Sequence, residues 1–211
     1  MLPDAYRFVT RAPVIPVMVI SELEQAVPMA RALVEGGITS LEITLRTDCA
    51  LDAIRAIAGE VEGADVGAGT VCNGAQLRAA VAAGARFIVS PGSSDDLFNT
   101  ARELDVPLLP GAVTASEVMR VREAGFPVIK FFPASTSGGA AAIKAFQGPF
   151  GDALFVPTGG VGLGNAAEYL TLANVPAVGG SWIIPADAVA AGDWQTVTRL
   201  AREAVDFANA L

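Results

Sequence analysis

Lys130 and Glu42 are the residues of this 211-residue chain whose types and settings most directly offer chemistry. Lys130 is one of two lysines and sits in the run Val128-Ile129-Lys130-Phe131-Phe132-Pro133, which reads as a buried strand. Taking an ammonium out of water favours the neutral amine, and a neutral amine attacks a carbonyl carbon, so the chemistry on offer is Schiff-base formation. A plainer account exists. Twelve arginines stand against the two lysines, a ratio that coding bias also produces. A lysine at a strand edge can lay its stem on apolar surface and keep its head in water.

Glu42 belongs to Leu41-Glu42-Ile43-Thr44-Leu45-Arg46. Strand alternation puts Glu42, Thr44 and Arg46 on one face and Leu41, Ile43 and Leu45 on the other. A face that polar cannot pack on helices, so it must look into the lumen of a closed sheet. The same alternation turns Val128, Lys130 and Phe132 inward, where Lys130 and Glu42 can meet. As a structural filler such a pair gives weak net stability, because desolvation offsets attraction. As machinery it supplies an amine nucleophile and a proton shuttle, with Arg46 placed to hold a substrate carboxylate by paired hydrogen bonds.

Two glycine-rich segments, Thr158-Gly159-Gly160 and Gly179-Gly180-Ser181, suit an anion. Without side chains, backbone N–H groups can approach a phosphate closely, and Ser181 adds a hydroxyl donor. The alternative is two tight turns with no ligand.

The elements that must position these residues alternate regularly. Strands are predicted over Val14–Ile20, Ser40–Arg46, Asp65–Ala68, Arg86–Ser90, Pro107–Pro110, Val128–Phe132, Leu154–Pro157 and Pro176–Gly180. Helices are predicted over Glu22–Glu35, Asp48–Glu60, Gly74–Ala83, Ser94–Leu104, Ala115–Ala124, Ala140–Phe146, Asn165–Ala173 and Trp194–Asn209, with a short helix before the first strand. Ser21, with Glu24 three residues on, reads as an N-cap, while Gly36-Gly37, Gly84 and Gly125 read as helix stops. Eight βα units in this length predict an α/β fold, a single-domain (β/α)8 TIM barrel spanning 1–211, with the active site at the C-terminal ends of the strands. A doubly wound open sheet is the runner-up, but no GxGxxG follows the first strand.

Composition narrows the function classes. A net charge of −8 with no basic run argues against nucleic acid. No apolar segment approaches the roughly 18 residues of a membrane span, and the first residues lack a signal-peptide pattern, so no membrane association and a cytoplasmic location are expected. The chain has no histidine, which excludes Ser-His-Asp and Cys-His catalysis and a histidine-ligated zinc site. An all-oxygen magnesium site stays conceivable. Cys49 and Cys72 are expected to be buried free thiols, and Asp95-Asp96 a solvent-facing helix start.

Gly37-Ile38-Thr39-Ser40-Leu41-Glu42-Ile43-Thr44-Leu45-Arg46 and Gly125-Phe126-Pro127-Val128-Ile129-Lys130-Phe131-Phe132-Pro133-Ala134 resemble the two signature segments of the 2-keto-3-deoxy-6-phosphogluconate (KDPG) aldolase family, also associated with 4-hydroxy-2-oxoglutarate aldolase activity. The resemblance runs on through Val66-Gly67-Ala68-Gly69-Thr70, Ser90-Pro91-Gly92, Pro157-Thr158-Gly159-Gly160 and Gly179-Gly180-Ser181-Trp182. It implies a class I aldolase, a homotrimer of the Entner–Doudoroff route, that cleaves phosphorylated KDPG to pyruvate and D-glyceraldehyde 3-phosphate with no metal or organic cofactor. Motif by motif it implies Lys130 as the Schiff-base lysine, Glu42 as general acid/base, Arg46 and Thr70 at the pyruvoyl end, and Pro91 and Phe132 shaping the pocket. Thr158, Gly159, Gly160, Gly180 and Ser181 fall where the family holds the hydroxylated and phosphorylated end. The loops Ser135-Thr136-Ser137-Gly138-Gly139 and Ser93-Ser94 depart from the family pattern, and Lys144 falls on an outer helix. Two other readings stand beside this one: the same chemistry on the galactonate epimer or 4-hydroxy-2-oxoglutarate, decided by a contact such as Thr158, and a non-catalytic phosphate-binding barrel. Intact Glu42, Arg46 and Lys130 argue against the last.

Overall fold

Eight short parallel strands close on themselves in the computed structural model, which describes residues 4–211. They are β1 (Val14–Met18), β2 (Ser40–Thr44), β3 (Asp65–Gly69), β4 (Phe87–Val89), β5 (Leu108–Leu109), β6 (Val128–Phe131), β7 (Leu154–Pro157) and β8 (Val178–Gly180). Six pair in the order β5-β4-β3-β2-β1-β8, and β6 pairs with β7. Two bridges complete the circuit: Gly111 with Lys130 between β5 and β6, and Thr158 with Gly179 between β7 and β8. The closed sheet is therefore the (β/α)8 barrel expected, with active-site loops gathered at one rim.

Helices α1 (Ala26–Glu35), α2 (Ala50–Glu60), α3 (Gly74–Ala82), α4 (Asp95–Glu103), α5 (Ala115–Glu123), α6 (Gly139–Phe146) and α7 (Ala166–Leu170) follow the strands in turn, and α8 (Ala186–Ala191) and α9 (Trp194–Asn209) follow β8. None is long and apolar enough to cross a membrane. Outward residues such as Leu41, Ile43, Ile129, Phe131 and Phe155 fill the layer between sheet and helices. Inward residues Ile15, Phe87, Val89, Leu109, Val128 and Val156 form a second, separate cluster inside the barrel.

A 3-10 helix over Asp4–Val9 closes the lower end of that inner cluster. Phe8 stacks on Phe87 at 4.1 Å between ring centroids, and the Tyr6 hydroxyl donates to the Leu108 carbonyl at 3.2 Å. A barrel of eight strands has an interior that side chains can fill, so its lower half is packed core and only the mouth is left for chemistry.

Several expectations need correction. Ser21 caps no helix: the chain first makes a 3-10 turn over Leu23–Gln25, and α1 begins at Ala26 without a side-chain cap. Strand β1 stops at Met18, which pairs with Ile43, although Val19 and Ile20 continue its apolar run. Helix α8 is an addition, six residues set between Pro185 and a left-handed Gly192 with a single buried residue, Ala188, too short for a helical period to show. Cys72 is exposed and Cys49 half-buried, both as free thiols, so the expected burial fails while the free state holds. Asp95 and Asp96 do start α4 in solvent, and Gly37, Gly84 and Gly125 take the positive φ that ends a helix.

Candidate active site

Strand β2 is buried along its length, so alternation decides only which medium each side chain meets. Leu41 and Ile43 enter the helix-facing layer, and Glu42 and Thr44 face the lumen at 2% and 1% exposure. Lys130, at 5%, reaches in from β6, and its Nζ lies 3.3 Å from Oε1 of Glu42. Among the described residues these two are the only charged groups that are buried. The Lys130 main chain is fixed on both sides: its N–H donates to Pro110 at 2.9 Å, and its carbonyl accepts from Ala112 at 3.0 Å. The Thr44 hydroxyl donates to the Met18 carbonyl at 2.9 Å and so ties β2 to β1 rather than joining the pair.

The space around the pair is made by absent side chains. Thr44 pairs with Gly69 and Glu42 with Gly67. A methyl group at Gly69 would overlap Oε1 of Glu42 and lie 2.6 Å from its Cγ. One layer lower, a methyl at Gly67 would overlap the Phe87 ring, which forms the floor of the site. On the far side, Gly111 donates to the Gly92 carbonyl at 2.9 Å, and a methyl there would overlap the Pro91 carbonyl.

The other residues singled out from the sequence surround this pair at the rim. Arg46 lies two residues past the end of β2, exposed, with no ion pair to a carboxylate among the described residues. Thr70 follows β3 with φ of +56°, a conformation costly for a β-branched residue and characteristic of functional loops. Pro91 follows β4 against Gly111. The Phe132 ring stands with its centroid 5.2 Å from the Lys130 Nζ, close enough for a cation–π contact. Thr158 is buried and joins both neighbours, donating its N–H to Phe131 at 2.9 Å and bridging Gly179. Gly179 has no room for a side chain beside the Thr158 hydroxyl, and Gly180 none beside the Trp182 ring.

Gly159 and Gly160 both take positive φ, +95° and +71°. The N–H groups of Gly160 and Ser181 donate to no backbone carbonyl among the described residues. Ser181 also lines a cavity of about 380 Å³ that reaches from Val17 and Val19 to Met29 of α1 and Val189 of α8 and touches no other residue assigned to the site. Lys144 sits exposed on α6, away from the lumen.

Every residue assigned from the sequence thus lies in or around one mouth. Gly69 and Gly111 were missed there as more than turn glycines. The signal for Gly69 was present: Gly67 and Gly69 alternate with period two in a strand, so both face the lumen beside a carboxylate. Chemically, the site offers one amine and one carboxylate in contact on an apolar floor, with a guanidinium at the lip.

The sequence profile of the family "KDPG and KHG aldolase" matches residues 6–200. The 2-dehydro-3-deoxy-phosphogluconate aldolase of Dickeya dadantii (strain 3937) is 53% identical over 207 residues, covering 98% of this chain and 97% of that protein. A KDPG aldolase from Legionella pneumophila, solved with pyruvate captured at low pH as a covalent carbinolamine intermediate, superposes with a TM-score of 0.93 at 42% identity, covering 96% of this chain and 98% of the other. The 2-keto-3-deoxy-6-phosphogluconate aldolase of Zymomonas mobilis ZM4, solved with 3-phosphoglycerate, gives 0.90 at 44% identity, covering 96% and 95%. With the profile matching nearly its whole length, the chain belongs to the KDPG and KHG aldolase family.

Proposed function

We propose that this chain is a class I aldolase that cleaves 2-keto-3-deoxy-6-phosphogluconate to pyruvate and D-glyceraldehyde 3-phosphate, with Lys130 as nucleophile and Glu42 as the proton-transfer group. The observation that carries the proposal is the buried Lys130–Glu42 contact at 3.3 Å. A buried ion pair contributes little net stability, so its place on the floor of a mouth is accounted for by reaction rather than by folding. The carbinolamine captured in the Legionella relative supports the same chemistry.

In the proposed reaction Lys130 gives a proton to Glu42, the neutral amine adds to the ketone carbon of the substrate, and Glu42 returns that proton to the departing hydroxyl, so that loss of water from the carbinolamine leaves an iminium and a Glu42 carboxylate. Glu42 takes the proton of the C4 hydroxyl. The C3–C4 bond breaks, its electron pair flows into the iminium, and the aldehyde departs from a pyruvate enamine. Glu42 returns the proton to C3, and water frees pyruvate and Lys130. Arg46 and Thr70 hold the pyruvoyl carboxylate, Pro91 and Phe132 enclose it, and Thr158, Gly159, Gly160, Gly180 and Ser181 hold the hydroxylated, phosphorylated end. The family profile also covers KHG, and the Lys130–Glu42 pair serves the pyruvoyl half that both substrates share. The reading extends to one catalytic domain over 1–211 acting as a cytoplasmic homotrimer; sedimentation of the purified protein tests the trimer.

Borohydride reduction with pyruvate, followed by peptide mass analysis, tests the mechanism. The adduct is expected on Lys130 and absent in Lys130→Ala; no adduct, or one on Lys144, refutes it. Glu42→Gln should still trap pyruvate while turning over slowly, and unchanged turnover would remove Glu42 from proton transfer.

A further inference from the structure

We propose that Gly69 is a positioning residue for the reaction: the missing side chain at the end of β3 is what lets the Glu42 carboxylate lie against Lys130. The inference rests on the aldolase reading above. Its warrant is steric. A methyl at Gly69 would overlap Oε1 of Glu42 and lie 2.6 and 2.7 Å from its Cγ and Cδ, separations that real Cβ atoms do not show. The backbone itself does not demand glycine, because Gly69 is absent from the residues with positive φ. The three atoms nearest that methyl all belong to the Glu42 side chain.

The carboxylate has no easy retreat. The Phe87 ring occupies the layer below, in the space a methyl at Gly67 would need. Lys130, itself pinned through its backbone to Pro110 and Ala112, stands across the lumen. In Gly69→Ala the Glu42 side chain must therefore swing toward the mouth or crowd the amine, and either movement changes the 3.3 Å contact. Proton transfer depends on placement, and a misplacement of about 1 Å costs roughly a hundredfold in rate.

The test is a cycle built on Gly69→Ala and Glu42→Asp. Gly69→Ala should lower kcat about a hundredfold and slow exchange of the pyruvate methyl protons with solvent by a similar factor, while borohydride still traps pyruvate on Lys130. A merely structural role would not split proton transfer from imine formation in that way. Glu42→Asp withdraws the carboxylate by one methylene and is slow alone; combined with Gly69→Ala it should lose far less than the product of the two single effects. Wild-type kcat in Gly69→Ala, or multiplicative losses in the double variant, overturns the inference. Should Gly69→Ala fail to fold, Gly69→Ala/Glu42→Ala/Lys130→Met removes the group the methyl meets without leaving the ammonium alone and must restore folding; failure to do so also overturns it. If wild type traps no pyruvate, the aldolase reading fails instead, which separates the two ideas.

Discussion

Removing one member of the buried Lys130–Glu42 pair should cost far more stability than removing both. Their side chains are 6% and 3% exposed, and among the described residues each is the other's only hydrogen-bonding or ionic partner. Lys130→Met leaves a buried carboxylate without its cation, and Glu42→Leu leaves the ammonium with only the face of Phe132. Breaking a buried pair from one side costs about 3 to 5 kcal/mol, whereas replacing both members by apolar groups of similar volume is often neutral or stabilising. A contact of 3.3 Å is long for a charge-assisted hydrogen bond and lies near the mouth, which places this pair at the lower end, about 3 kcal/mol. In a chain of this size that loss lowers the apparent melting temperature by roughly 6 to 12 °C. Calorimetry on Lys130→Met, Glu42→Leu and the double variant, at one scan rate and pH 7, reads the effect directly. The double variant should melt close to wild type. Single variants that melt with wild type, or a double variant whose loss is the sum of the two, would refute the claim that the pair is held as mutually compensating charge.

Tyr6 gives a pH signature at the other end of the barrel. Burial raises its phenol from 10.0 to about 12, partly opposed by the hydrogen bond it donates to Leu108. Between those values the unfolded chain loses the proton first. The stabilisation is therefore whole below pH 10 and is lost as pH rises toward 12, by up to about 1.4 kcal/mol per pH unit. Urea midpoints of wild type and Tyr6→Phe between pH 9 and 11.5 should converge or cross through that window, and parallel curves would show that Tyr6 does not contribute. At the lip, Arg46→Gln should lower kcat/KM by about 10- to 150-fold, the worth of a hydrogen bond to a charged group, chiefly through a higher KM; unchanged KM would take Arg46 out of carboxylate binding.

Much of this molecule is legible in the chain because two periodicities speak plainly. Period two in β2 separates Glu42 and Thr44 from Leu41 and Ile43, and only a closed sheet gives the polar set somewhere to point. The strand ends were less legible. Val19 and Ile20 are as apolar as β1, yet pairing stops at Met18, and a ladder depends on the neighbour rather than on its own residues. Helix α8 fell below the length at which a helical period shows. Cys72 is exposed because its place is set by the turn after Thr70, whose positive φ no local preference for threonine foretells. The room at Gly69 is legible only once β3 is carried one residue past Ala68, because then Gly67 and Gly69 fall on the lumen face beside Glu42 and Thr44 rather than in a turn.

The 3-10 helix at the foot of the barrel carries a kinetic consequence. With Phe8 stacked on Phe87 and Tyr6 bonded to Leu108, the described residues fill the lower end of the barrel, and the site opens at the mouth. On the proposed reaction pyruvate is the inner product and the phosphorylated aldehyde the outer one, so departure is ordered: aldehyde first, pyruvate second. In the synthetic direction traffic runs in reverse, with pyruvate entering before the aldehyde covers it.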